Sequence, residues 1–237
     1  MDKTLSVKDI LEAGMHLGHR TSHWDPKMKP YIFGERKGIH IIDPDKTLEL
    51  LNKAYDIVKD IASNDSLIMF VGTKSQVADV IKEEALRCNS LFCTQRWLGG
   101  TLTNFVTIRK SVDKLKKLEA DKAADLWTKF KKKEILDMER KMEKMHKFLD
   151  GVLDMNRLPS IIFIADPKFD KIALQEALIL NIPVVAIVDT NVNPDPINYP
   201  IPANDDAVRS VTLITQILAD AVLAGRAIKE NSGKTKY

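Results

Sequence analysis

Three uninterrupted apolar runs, at residues 67–71, 161–165 and 183–188, restrict this chain's fold more than any other feature. A strand carries apolar side chains on both faces only when both faces of its sheet are covered, the condition of a parallel sheet between helical layers. Stretches of helical period separate the runs. Residues 47–62 space Leu48, Leu51, Tyr55, Val58 and Ile61 three or four apart. Val77, Val80, Ile81 and Leu86 follow the first run, and Ile172, Ala173, Leu174, Ala177 and Leu178 follow the second. A last helix is predicted from about Asp205 through Val208, Val211, Ile214, Leu218 and Val222. Shorter segments at 39–42, 91–92 and near Ile201 read as further strands. Strand alternating with helix predicts an α/β fold: a doubly wound, flavodoxin- or Rossmann-like, mostly parallel sheet with right-handed crossovers.

One stretch breaks the alternation. Phe105, Ile108, Val112 and Leu115 form one seam of heptad type, and Ile135, Met138, Met142, Met145, Leu149 and Val152 form another. Placed either side of residues 121–133, they predict an inserted antiparallel helical coiled-coil hairpin over 104–157. The α/β domain is then 1–103 and 158–237, with a helix and a basic, aromatic loop within 1–40. Lys129, Lys131, Lys132 and Lys133 would lie near the hairpin's tip, as a solvated end or as a partner contact.

Overall charge says little, because 36 basic and 33 acidic residues leave only +3. Its distribution says more. Residues 104–157 carry net +5 and residues 158–206 net −5, so one region suits phosphates and the other a different partner. Arg20 to Lys37 mixes five basic residues with Trp24, Tyr31 and Phe33, and Pro26, Pro30 and Gly34 predict an irregular loop. Cations and rings on a loop suit RNA, though such rings can equally plug a domain edge. Before this loop, Val7, Ile10, Leu11 and Leu17 predict a short helix capped by Ser6. Gln95 to Phe105 offers Arg96 and Trp97 for gripping phosphates and stacking on bases. Gly99 and Gly100 follow, with Asn104 as an expected helix N-cap. The same residues also read as a Gly-Gly turn over a buried indole.

Catalytic signatures are missing. Gly72 to Ser75 leads into a helix that could hold phosphate, but the spacing GxxxxGK[ST] is absent, as are GxGxxG after a strand and GxSxG. Thr73, Asp166, Asp189 and Asn204 to Asp206 should fall beyond the carboxyl ends of strands, where such sheets bind ligands. They keep open an alternative: a Rossmann-like metal- or nucleotide-dependent enzyme using the strand-end aspartates. His16 and His19 suggest instead a structural zinc or magnesium ion, with His19, Asp189 and Asp205 as ligands. No cofactor is otherwise required. Cys88 and Cys93 suggest neither a disulfide framework nor a thiol metal site. Met1 to Leu5 has no secretory core, and no apolar run approaches the ~18 residues of a membrane span, so a cytoplasmic protein is expected.

Three motifs, in order, resemble bacterial small-subunit ribosomal protein S2: Gly14 to His19 with Pro26 to Asp43, Gln95 to Arg109, and Tyr199 to Ser210. The resemblance implies a non-enzymatic constituent of the small ribosomal subunit that binds ribosomal RNA between head and body and helps recruit ribosomal protein S1. It implies neighbouring ribosomal proteins as partners, no membrane and no homo-oligomer. Carried onto this sequence, the RNA-facing candidates are Arg20, Trp24, Lys27, Lys29, Arg36, Lys37, Arg96, Trp97, Asn104, Arg109 and Lys110. Residues 120–133 match no motif, and the acidic 158–206 segment is the expected protein-contacting side.

Overall fold

The computed structural model describes residues 5–234, with side chains up to Lys229. Met1 to Thr4, most of the stretch read as lacking a secretory core, and Thr235 to Tyr237 lie outside the described residues.

The sheet forms as the apolar runs require. Strands β4 (Ile68–Val71), β5 (Leu91–Cys93), β6 (Ile161–Ile164), β7 (Val184–Val188) and β8 (Tyr199–Pro202) pair in parallel in the order β5-β4-β6-β7-β8. That is the flavodoxin-like winding, whose direction reverses between β4 and β6. Alternate strand residues feed two cores. Ile68, Phe70, Ile161, Phe163, Val185 and Ile187 pack against α2 (Pro44–Ser63), α3 (Ala78–Arg87) and α7 (Val208–Lys234). Met69, Val71, Ile162, Ile164, Val184 and Ala186 pack on the other face against Ala173 and Ala177 of α6 (Lys171–Ile179).

The insertion is a pair of helices, α4 (Phe105–Ala123) and α5 (Lys132–Leu149), joined by a short 3-10 turn over buried Trp127. Its seams are buried most at the base: Ile108, Val112, Leu115, Leu149 and Val152 join the second core. Farther out, Ile135 and Met138 are half-buried, since only the partner helix covers them.

Four expectations change. Helix α1 (Val7–Glu12), capped by Ser6 and Asp9 reciprocally, ends before Gly14, whose φ of +72° stops it. Leu17 therefore opens strand β1 (Leu17–Arg20) instead of extending the helix. Within the expected loop, residues Ile32–Arg36 form β2, paired antiparallel with β3 (Ile39–Ile42) through a two-residue turn at Lys37 and Gly38. Both turn residues have positive φ, as a tight hairpin needs. Leu86, Ile172 and Leu178 are exposed, and Ile81 and Ala85 of α3 and Ala173 and Ala177 of α6 are the residues buried in the two cores. Finally, Val208–Lys229 is long and apolar enough to cross a membrane by length and composition. Its residues Val211, Ile214, Leu218 and Val222 are fully buried in the first core, and its Gly225 lies close against α2 at Lys59.

Candidate nucleic-acid interface

The carboxyl edge of the sheet gathers the polar residues that follow its strands. Thr73 lies just beyond β4, Asp166 beyond β6, Asp189 beyond β7 and Asn204 to Asp206 beyond β8. The Thr73 turn, a possible phosphate cradle, is taken by the chain itself. Its N–H and hydroxyl donate to the two oxygens of Asp170 at 3.1 and 2.6 Å. Burial pushes Asp170 up, against those two bonds. A carboxylate thus occupies the donors that a nucleotide would need.

Beside it, Lys74 reaches Asp166 at 3.4 Å and Asp205 at 3.9 Å, and donates to Asp206. Burial lowers the Lys74 pKa, but the Asp206 bond and the surrounding carboxylates outweigh it, leaving the ammonium above its ordinary range. His19 stands on the other side. Its Nδ1 is 3.1 Å from Asp189 and its Nε2 3.4 Å from Asp206. The Asp189 bond raises its pKa against burial. Asp205 is pushed up to about 8 by burial and by the charges of Asp166 and Asp189. Among the described residues, His19, Asp205 and Asp206 offer ligand atoms within 4.8 Å of one another. Asp189, an expected ligand, already accepts from Thr190 N–H and hydroxyl and from the Asp205 N–H. It orients the imidazole, as carboxylates behind metal-bound histidines do.

The basic, aromatic segment docks on this edge. Asp25 N–H donates to Thr190 O at 2.8 Å, Met28 is buried in the second core, and Lys27 pairs with Asp195 at 2.7 Å. Arg20, Lys27, Lys29, Arg36 and Lys37 are exposed. Trp24 is half-buried, its ring 5.0 Å from that of His40.

The loop after β5 divides its candidates. Arg96 and Lys110 are exposed. Trp97 is 6% exposed, its indole N–H donating to Glu176 at 3.0 Å, so the ring offers no face for a base. The buried-indole reading is the correct one. Glu176 also accepts from the N–H groups of Gly100, Leu102 and Thr103 and the Thr103 hydroxyl. Burial would raise its pKa, but these bonds hold it below the ordinary carboxylate range. Asn104 takes the N-cap position without capping, because its oxygen accepts from the Thr107 hydroxyl. Arg109 is turned inward, donating to the carbonyls of Leu153 and Met155 and bracing the hairpin's base.

Two residues of this edge are absent from the candidates that the resemblance carries over. Glu176 looks like any polar residue of an amphipathic helix, and no local signal marks it. Phe33 is 76% exposed on β2, and its position among cations is the one signal for it. The family model described as Ribosomal protein S2 matches residues 10–225 of the 237.

Proposed function

This chain belongs to the ribosomal protein S2 family, and from that premise we propose that its carboxyl-edge loops bind small-subunit ribosomal RNA where the head meets the body. As a member of that family it is a structural protein of the small ribosomal subunit, working in translation. The observation that carries the RNA reading is the set of cations held outward on rigid supports. Arg20, Lys29, Arg36, Lys37, Arg96 and Lys110 are exposed, while Met28 and Trp97 anchor two of the loops in one core. Exposed Phe33 adds a ring on which an unpaired base can stack. Trp24 has a more limited face, and Arg109 serves the scaffold first.

Recruitment of ribosomal protein S1 is assigned to the face of α6, where Phe169, Ile172 and Ile179 are exposed beside Lys168 and Lys171 while the neighbouring Asp166, Asp170 and Glu176 are buried. The protein then works in the cytoplasm on the ribosome, as one copy among different neighbours. The alternative enzyme reading gains no support, because Asp170 fills the Thr73 turn and Lys74 is itself held by Asp166 and Asp206.

A structural divalent ion, zinc or magnesium, fits the same edge. His19, Asp205 and Asp206 would hold it and Asp189 would orient His19, in place of the set His19, Asp189 and Asp205. An ion supplies the positive charge that four carboxylates facing one lysine and one histidine lack. Metal analysis of purified protein and of Asp205→Asn tests this. Equal, negligible metal content in both would remove the ion.

Co-sedimentation tests the main reading. Tagged full-length protein should migrate with small ribosomal subunits in a gradient, and failure to do so would contradict it.

A further inference from the structure

One flank of the hairpin has a composition unlike the rest of the surface. Between α4 and α5 lies an open recess of about 460 Å³, with Leu98, Ile108, Met145, Phe148 and Leu149 as its floor. Its charged lining groups are Lys114, Lys141 and Lys144, all exposed and none ion-paired among the described residues. We propose that this recess binds an unstacked nucleotide of RNA, its base against Phe148 and Met145 and its flanking phosphates on Lys114, Lys141 and Lys144. The proposal rests on the RNA-binding reading above and adds a second contact surface to it.

The helical spacing builds this face. Lys144 and Met145 lie three and four residues after Lys141, and Phe148 lies four and three after them on α5, so the four share one side. Lys110 precedes Lys114 by four on α4 and continues the cationic line toward the loop that carries Arg96. Leu98, from that loop, closes the floor and joins the two regions. Lys144 and Phe148 also line an adjoining hollow with Arg140 and Lys147, where Glu143 is the single carboxylate.

Lys114 and Lys141 line the same recess from opposite helices, and the nearby like charge of Lys114 lowers the Lys141 pKa. Two cations held together without a carboxylate between them make a natural seat for a phosphate. An apolar floor whose charged lining groups are all cations, with Ser111 beside them, matches a nucleotide, with its planar apolar faces and charged backbone. An acidic peptide would satisfy the lysines but would not need Phe148.

The test titrates full-length protein against transcribed small-subunit ribosomal RNA over a range of salt. Lys114→Gln/Lys141→Gln/Lys144→Gln should flatten the log K against log salt slope by about 2, at roughly 0.7 per single-strand phosphate. Phe148→Ala should weaken binding about tenfold with the slope unchanged. Thermal unfolding by circular dichroism checks that the variants are folded, and the triple variant changes only exposed side chains. If the triple variant binds as the parent does while Lys27→Gln/Lys29→Gln/Arg96→Gln binds weakly, the recess proposal falls and RNA binding stands. If the parent itself ignores the RNA, both fall. Should polyglutamate displace the RNA as well as oligouridylate of equal charge does, the flank is a general polyanion patch and the proposal is overturned.

Discussion

The indole N–H of Trp97 donates to Glu176 at 3.0 Å across 79 positions of sequence. With four further donors on the same carboxylate, this side chain holds the whole turn from Gly100 to Thr103 onto α6. Glu176→Ala would leave several buried donors unpaired, and should cost about 3–5 kcal/mol in urea unfolding. The pH dependence has a definite sign. Because the folded Glu176 pKa is depressed, its contribution is complete above the unfolded value near 4.3 and is lost as pH falls through the lower folded value. Stability measured from pH 7 to 3 should show this acid loss in the parent and less of it in Glu176→Gln.

Trp97 and Phe33 should separate scaffold from surface. Trp97→Phe removes the buried N–H donor and should lower stability by about 1–2 kcal/mol while leaving RNA affinity unchanged in the folded protein. Phe33→Ala should do the reverse, weakening RNA binding about tenfold without moving the unfolding midpoint. A filter-binding titration beside a urea melt checks both.

Lys27 reaches the surface already paired with exposed Asp195. RNA has to displace that carboxylate. Asp195→Asn should therefore tighten RNA binding by about two- to fivefold at low salt, the equivalent of an exposed ion pair, with a smaller gain at high salt. An unchanged or weaker affinity at low salt would show that Lys27 makes no phosphate contact.

Gly151 marks where the hairpin returns to the sheet. A Cβ there would lie 1.9 Å from the Phe92 carbonyl oxygen, so backbone must move. Gly151→Ala should cost about 3 kcal/mol and make the α4–α5 region more sensitive to limited proteolysis than the parent's.

How far the sequence reveals this molecule depends on the range of each interaction. Residues 67–71, 161–165 and 183–188 announce buried parallel strands because both faces must be apolar, and the seams of 104–157 announce paired helices. Ser6 is a legible cap because its partner Asp9 lies three residues away. Long-range relations are silent. Nothing near Trp97 reveals Glu176, nothing near Thr73 reveals Asp170, and Arg109 turns to carbonyls more than 40 positions on. Residues 32–36 do not read as a strand because Pro30 and Gly34 look like breakers. Pro30 lies inside the preceding 3-10 helix (Pro26–Tyr31), and Gly34 sits at an irregular register against Ile41. The strand-end cluster is legible in outline, since the winding places those residues on one edge, but Asp206 as His19's neighbour emerges only from the geometry.

The most direct measurement is the salt dependence of small-subunit ribosomal RNA binding by the full-length protein and by Lys27→Gln/Lys29→Gln/Arg96→Gln. Binding should weaken steeply with salt in the parent, and the variant's slope should be shallower by roughly one unit for each phosphate that it no longer neutralises. Identical slopes and affinities for the two proteins would show that the carboxyl-edge loops do not hold the RNA.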